Sequence, residues 1–271
     1  GVQSRNQMVL DLSRDEVCEY VINAVSDILA NANIEYVKWD MNRQLTDMPR
    51  LGYNHEYTLG YYKIMSAITE KFPNILFEGC SAGGGRFDAG VLAYMPQIWT
   101  SDNSDAIARL KMQYSTSMCY PVYSISSHVT ASPNHQCGRD TSLKTRADVA
   151  YCGTFGYELD VTKMSDEEFE EIKAQIKFEK RIQDLMCNGD LYRLINPYET
   201  NYCSWEVVSK DKEQEGSLDE WDIVIKSIYL LWLAKCLRLH KQRVKKLNYR
   251  DLIRINNIEI HLQVKFTAVI F

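Results

Sequence analysis

Short apolar runs alternate with stretches of helical spacing from Met8 to Met186, and this alternation is what most constrains the fold. Strand-like runs occur at Met8–Asp11, Ile34–Asp40, Ile75–Cys80, Ile98–Asp102, Pro121–Ser126 and Gly153–Leu159. Between them lie helical patterns. Ser13 with Glu16 reads as a capping box, and Val17, Val21, Ala24, Val25, Ile28 and Leu29 follow on one face. A second helix near Glu56–Phe72 buries Tyr61, Ile64, Met65 and Ile68 and is stopped by Pro73. Asp105–Met118 and Ser142–Tyr151 follow, and Ser165 with Glu168 caps a long charged helix ending near Met186. Strict strand–helix alternation is the mark of parallel β/α architecture. In a (β/α)8 barrel the C-terminal strand ends form the reactive face.

The acids fall at such ends. Lys38-Trp39-Asp40-Met41-Asn42-Arg43 closes one apolar run, and Ile98-Trp99-Thr100-Ser101-Asp102 closes another. Two carboxylates on neighbouring strand ends are the minimum equipment for cleaving a glycosidic bond. Lys38 and Arg43 flank Asp40, and nearby cations favour an ionised carboxylate, the form a nucleophile needs. The residues alone leave Asp40 open as a salt-bridged barrel acid. They leave Asp102 open as a helix cap, although Asp105 is better placed for that. Lys38, two residues before Asp40, shares its strand face and either donates to a ligand or pairs with Glu35 or Glu78.

Cys80 reads as a buried thiol. The run Ser81-Ala-Gly-Gly-Gly85 lacks the Lys-Ser/Thr ending of a phosphate loop, so close backbone approach to a ligand is the simpler reading. Arg86 and Asp88 are expected to form an ion pair. Trp39 and Trp99 are read as core or pocket wall. His128 and His135 are placed in a polar loop over Ser127–Gly138, where a leaving-group contact is a secondary option.

Composition excludes several classes. A net charge of −5 without a long basic run argues against a nucleic-acid partner. No segment is long and apolar enough to span a membrane. Eight cysteines lack CxxC or metal-like spacing, so a zinc site is not expected. They read as free thiols of a reducing, cytoplasmic compartment.

Four segments resemble the retaining α-galactosidases of glycoside hydrolase family 36. They are Tyr36–Arg43 (YVKWDMNR), Phe77–Asp88 (FEGCSAGGGRFD), Trp99–Ala106 (WTSDNSDA) and Gly153–Asp160 (GTFGYELD), in the family's order. The resemblance implies a partial (β/α)8 TIM barrel, about strands four to eight, over residues 1–188. A partial or divergent C-terminal β-domain over 189–271 would follow. There Leu191–Ile195 and Ser204–Ser209 read as strands, the match fails beyond about 212, and Glu213–Arg254 reads as helical. It implies Asp40 as nucleophile, Asp102 as acid/base, and Arg5, Lys38, Cys80 and Gly83 as substrate contacts, with no cofactor. The implied substrate is an α-galactoside oligosaccharide such as melibiose or raffinose, and the implied assembly a homo-oligomer.

Alternatives within the same chemistry are an α-N-acetylgalactosaminidase or a galactosyl transferase. An α-glucosidase is a third, disfavoured by the paired KWDMNR and CSAGGGRFD motifs. An inactive or sugar-binding remnant is another, because the family's acids that grip the sugar, and an aromatic wall residue, would lie upstream of Gly1. On that reading the isolated chain is expected to be poorly stable and weakly active.

Overall fold

The computed structural model describes residue 6, residues 8–46 and 48–210, and the backbone of Ile223–Tyr229. The alternation takes the form α1 (Asp15–Asn31), β1 (Tyr36–Trp39), α2 (Tyr53–Lys71), β2 (Leu76–Gly79), β3 (Gln97–Trp99), α3 (Ala106–Thr116), β4 (Ile125–Thr130), α4 (Leu143–Ala150), β5 (Thr154–Glu158) and α5 (Asp166–Asn188). The strands form one parallel sheet in the order β1-β2-β3-β4-β5. A doubly wound sheet reverses its strand order at a switch point. Here chain order and spatial order coincide, as in a barrel. The fold is part of a (β/α)8 barrel.

Three antiparallel strands follow: β6 (Asp190–Ile195), β7 (Tyr202–Val208) and β8 (Ile223–Tyr229), in that order. The helical reading of Glu213–Arg254 therefore fails at Ile223–Tyr229. That run is rich in β-branched residues and meets the free edge of β7, where a strand satisfies its backbone groups. The rest of Glu213–Arg254 lies outside the described residues.

The chain forms two compact units. One comprises Gly1–Asp102 with Ser124–Ser126, the other Asn103–Tyr123 with Ser127–Phe271. In the first, Tyr57, Tyr61, Ile64, Met65 and Ile68 of α2 recur at helical spacing and bury against Phe77, Met95 and Ile98. Each such side chain contributes about 1.5–3 kcal/mol on burial. In the second, Leu110, Ala147 and Ile182 of three helices pack with Trp205 and Val207 of β7. Tyr151 stacks on Phe155 with ring centres 4.9 Å apart.

Several local expectations change. Met8–Asp11 is not a strand, and Ser13 does not cap α1. At the helix start the Asp11 carboxylate accepts from the Ser13 amide (3.1 Å) and hydroxyl (2.6 Å), which turns the chain there. Arg14 takes the cap position without a side-chain bond, and Glu16 pairs with Arg14 instead. The buried stripe of α1 runs through Cys18 and Leu29, leaving Ile28 exposed. Pro121–Ser126 is also displaced. Val122–Ser124 is a 3-10 turn, and β4 runs on to Thr130. Ser126, Ser127 and Thr130 are buried there despite their polarity. The hydroxyls of Ser127 and Thr130 donate to Gln113 Oε1 (3.0 Å) and the Ser104 carbonyl (3.1 Å), so burial costs little. The capping box of Ser165 and Glu168 forms as expected.

Candidate active site

Asp40 directly follows β1 and Asp102 lies three residues past β3. Both are exposed and both belong to the first unit. They are not on neighbouring strands, as the sequence suggested: β2 lies between. Two strand spacings separate β1 from β3 by about 10 Å. The loop after β2 spans this gap. Ser81 Oγ donates to the Met41 carbonyl (3.0 Å), just past Asp40. The Gly84 amide donates to the Thr100 carbonyl (3.0 Å), just before Asp102. The loop is thus a strut between the two acid-bearing ends.

Gly83 is required in that strut. Its φ is +88°, and a β-carbon there would stand 2.7 Å from Ser101 Cα. Cys80 is buried, close enough to Asp40 for the carboxylate to act on its thiol. Burial pushes that thiol up to about 11, and the neighbouring carboxylate adds to the shift. Asn42 Nδ2 donates to Asp40 Oδ2 at 2.6 Å. Cys80 and Asn42 therefore both bear on Asp40's side chain.

Lys38 is placed by a cross-strand pair. It stands opposite Glu78 in the β1–β2 register, with 3.7 Å between Nζ and Oε1. Glu78 is fully buried, and Gln97 Nε2 donates to its Oε2 at 3.1 Å. The Lys38 ammonium also lies 4.8 Å from the centre of the Trp99 ring. With 36% of its side chain exposed and three donors, it can still reach a ligand. Arg43 donates to the Gln44 carbonyl and to Thr46 Oγ1. Arg5 lies outside the described residues.

Two other expectations are corrected. Arg86 and Asp88 do not pair. Arg86 Nη2 donates to the carbonyls of Trp39 (3.1 Å) and Cys80 (2.7 Å), while Asp88 Oδ1 accepts from the Tyr62 hydroxyl (2.6 Å) and the Val91 amide (2.8 Å). Backbone groups outcompeted the sequence neighbour. His128 lies in β4 rather than in a loop, with Nδ1 3.4 Å from Glu158 Oε2. His135 lies in the exposed loop that follows. In the second unit Asp105 caps α3 by accepting from the Ala108 amide and pairs with Arg139 at 3.1 Å.

A pocket of about 300 Å³ opens beside Asp40, lined also by Trp39, Asn42, Arg43, Tyr57, Tyr61 and Arg86. Among the described residues no group of three His, Cys, Asp or Glu is arranged to hold a metal ion. Glu78 and Arg86 are the groups that sequence reading undervalued. The signal for Glu78 was a lone acid inside the apolar run Leu76–Gly79, in reach of Lys38 only once the register is known. Arg86 carried no such signal.

Parallel strands in chain order, with exposed acids past the ends of two of them, define a (β/α)8-barrel protein whose reactive face is the C-terminal one. The Melibiase family profile matches residues 1–189, and the chain belongs to that family. It is 51% identical over 220 residues to α-galactosidase AgaA of Geobacillus stearothermophilus, covering 78% of this chain and 30% of that one. It is 47% identical over 212 residues to the bifunctional α-galactosidase/sucrose kinase AgaSK of Mediterraneibacter gnavus, covering 78% and 23%. The crystal structure of AgaA superposes with a TM-score of 0.75, over 78% of this chain and 30% of AgaA. The galactosidase domain of AgaSK gives 0.76 at 47% identity, over 78% and 29%. A variant of AgaA has been crystallised with raffinose. The chain thus spans under a third of the length of these relatives.

Proposed function

We propose that this chain carries the catalytic carboxylates of a retaining α-galactosidase that releases terminal α-linked galactose from oligosaccharides of the melibiose and raffinose type. The observation that carries the reading is the pair of exposed acids past β1 and β3, tied together by one glycine strut. Retention requires two carboxyls about 5–5.5 Å apart. From strands about 10 Å apart, the two side chains would have to lean toward each other across β2 to meet that demand.

In this reading Asp102 protonates the departing oxygen while Asp40 attacks the anomeric carbon from the opposite face. A glycosyl ester forms on Asp40. Asp102, now a carboxylate, takes a proton from water, and that water hydrolyses the ester. Lys38 donates to sugar hydroxyls while Glu78 fixes its position. Cys80, whose thiol stays protonated at neutral pH, lines the sugar beside the Gly83 backbone. The relatives' names support galactose as the sugar, and the raffinose complex of AgaA supports an oligosaccharide. Free thiols at all seven described cysteines support a reducing, cytoplasmic setting.

The test uses a chimera in which residues 8–208 replace the matching segment of AgaA. It should hydrolyse p-nitrophenyl α-galactoside and raffinose, with α-galactose as the first product by NMR. Asp40→Ala should abolish turnover. Asp102→Asn should cost about 10²–10⁴-fold. Full activity in either variant, or β-galactose as first product, rejects the reading.

A further inference from the structure

We propose that Arg86 is the positioning residue of Asp40, acting through both peptide units that flank it. The inference rests on the reading of Asp40 as nucleophile and adds a group that holds it. Arg86 Nη2 donates to the Trp39 carbonyl (3.1 Å) and the Cys80 carbonyl (2.7 Å). The same two carbonyls already accept ladder bonds, from the Cys80 amide (3.0 Å) and the Met41 amide (3.2 Å). The peptide before Asp40 contributes its C=O to this cluster, and the peptide after Asp40 contributes its N–H. One guanidinium nitrogen therefore sits on the last rung of the β1–β2 ladder, around the residue whose side chain must be aimed.

The surroundings show that the guanidinium is held for this task. It lies 4.5 Å from the centre of the Tyr61 ring, and Tyr61 is itself buried in the first core and donates to Met95 Sδ. Its Nε is buried without a hydrogen-bond partner. Leaving a charged donor unsatisfied is costly, so the two charge-assisted bonds to carbonyls must outweigh it. The acid two residues away, Asp88, is engaged by Tyr62 and Val91. Arg86 also lines the pocket beside Asp40. Cys80 stands beside this cluster: its carbonyl is bound by Arg86 and its thiol feels the Asp40 carboxylate. A shift of Arg86 would move the nucleophile along with the thiol beside it.

A misplacement of a catalytic group by about 1 Å costs on the order of 10²-fold in rate. In the chimera, Arg86→Met should therefore lower kcat by about 100-fold while KM stays within about twofold. Arg86→Lys should recover part of the loss, because an ammonium can still reach one carbonyl. Labelling of Asp40 by a mechanism-based fluorinated galactoside should slow in parallel.

Asp40→Gly with added azide tests the underlying reading separately. Failure to form galactosyl azide condemns Asp40 as nucleophile and leaves the Arg86 arms to be judged on their own. The second arm needs no turnover. In the full chain, Arg86→Met should speed alkylation of Cys80 by iodoacetamide and leave buried Cys18 unchanged, read by mass spectrometry. An unchanged kcat, a rise in KM matching the fall in kcat, an unchanged Cys80 rate, or Cys18 and Cys80 opening together would each overturn the proposal.

Discussion

Thiols illustrate how burial writes a pH dependence into single residues. Cys80 is pushed up to about 11, and Cys152 and Cys203 to about 12, each chiefly by desolvation. In the unfolded chain a thiol titrates near 9. Above that pH the unfolded state loses protons that the folded state keeps, so stability falls as pH rises. The contribution is complete below pH 9 and disappears progressively through pH 11–12. Urea midpoints should be flat in this respect below pH 9 and decline above it, and Cys152→Ala should flatten the decline. Between pH 7 and 9, exposed Cys119 and Cys137 should alkylate well before Cys80. A Cys80 rate equal to theirs would contradict its burial.

Helices and loops carry the next set of consequences. Asp105 both caps α3 and pairs with Arg139, and it is 2% exposed. Asp105→Ala should destabilise by about 1–2 kcal/mol from the cap alone. Asp105→Asn keeps an acceptor for the Ala108 amide and should lose less, as read by thermal melts of both variants. Gly60 faces a harder limit, because a β-carbon there would stand 1.8 Å from the Leu12 carbonyl oxygen. Gly60→Ala must push the turn before α1 away from α2, at a cost of about 1–3 kcal/mol. A melt unchanged by Gly60→Ala would show that the turn yields freely.

At this scale some of the sequence was transparent and some was not. The α2 face was readable because Tyr61, Ile64, Met65 and Ile68 all repeat at the helical period. The extent of β4 was hidden because Ser126, Ser127 and Thr130 look like a loop until their burial is known. The start of α1 was misread because Asp11 claims the Ser13 hydroxyl before the helix can.

At the scale of the molecule, the described residues of the first unit expose a series of large apolar groups. Met8, Leu10, Tyr20, Ile28, Tyr36, Leu51 and Leu76 are among them. β1 is the last strand of its sheet on that side among the described residues. Strand edges and apolar rows of this kind favour association. The chain by itself should therefore self-associate with rising concentration in sedimentation velocity, and Leu10→Lys should lessen it. The chimera with AgaA should remain at the assembly state of AgaA and turn over faster than the chain alone. A chain that is monomeric at every concentration and as active as the chimera would remove both expectations.

By itself the sequence determined the β/α alternation, the acids after β1 and β3, and the glycine loop between them. These are local properties, set by apolar period, by propensity and by which residues tolerate a positive φ. Only the tertiary structure decided that β2 separates the two acids, that Lys38 meets Glu78, and that Arg86 turns from Asp88 to the carbonyls around Asp40. Those outcomes depend on strand register and on competition among partners distant in the chain, and neither is encoded in the spacing of residues along it.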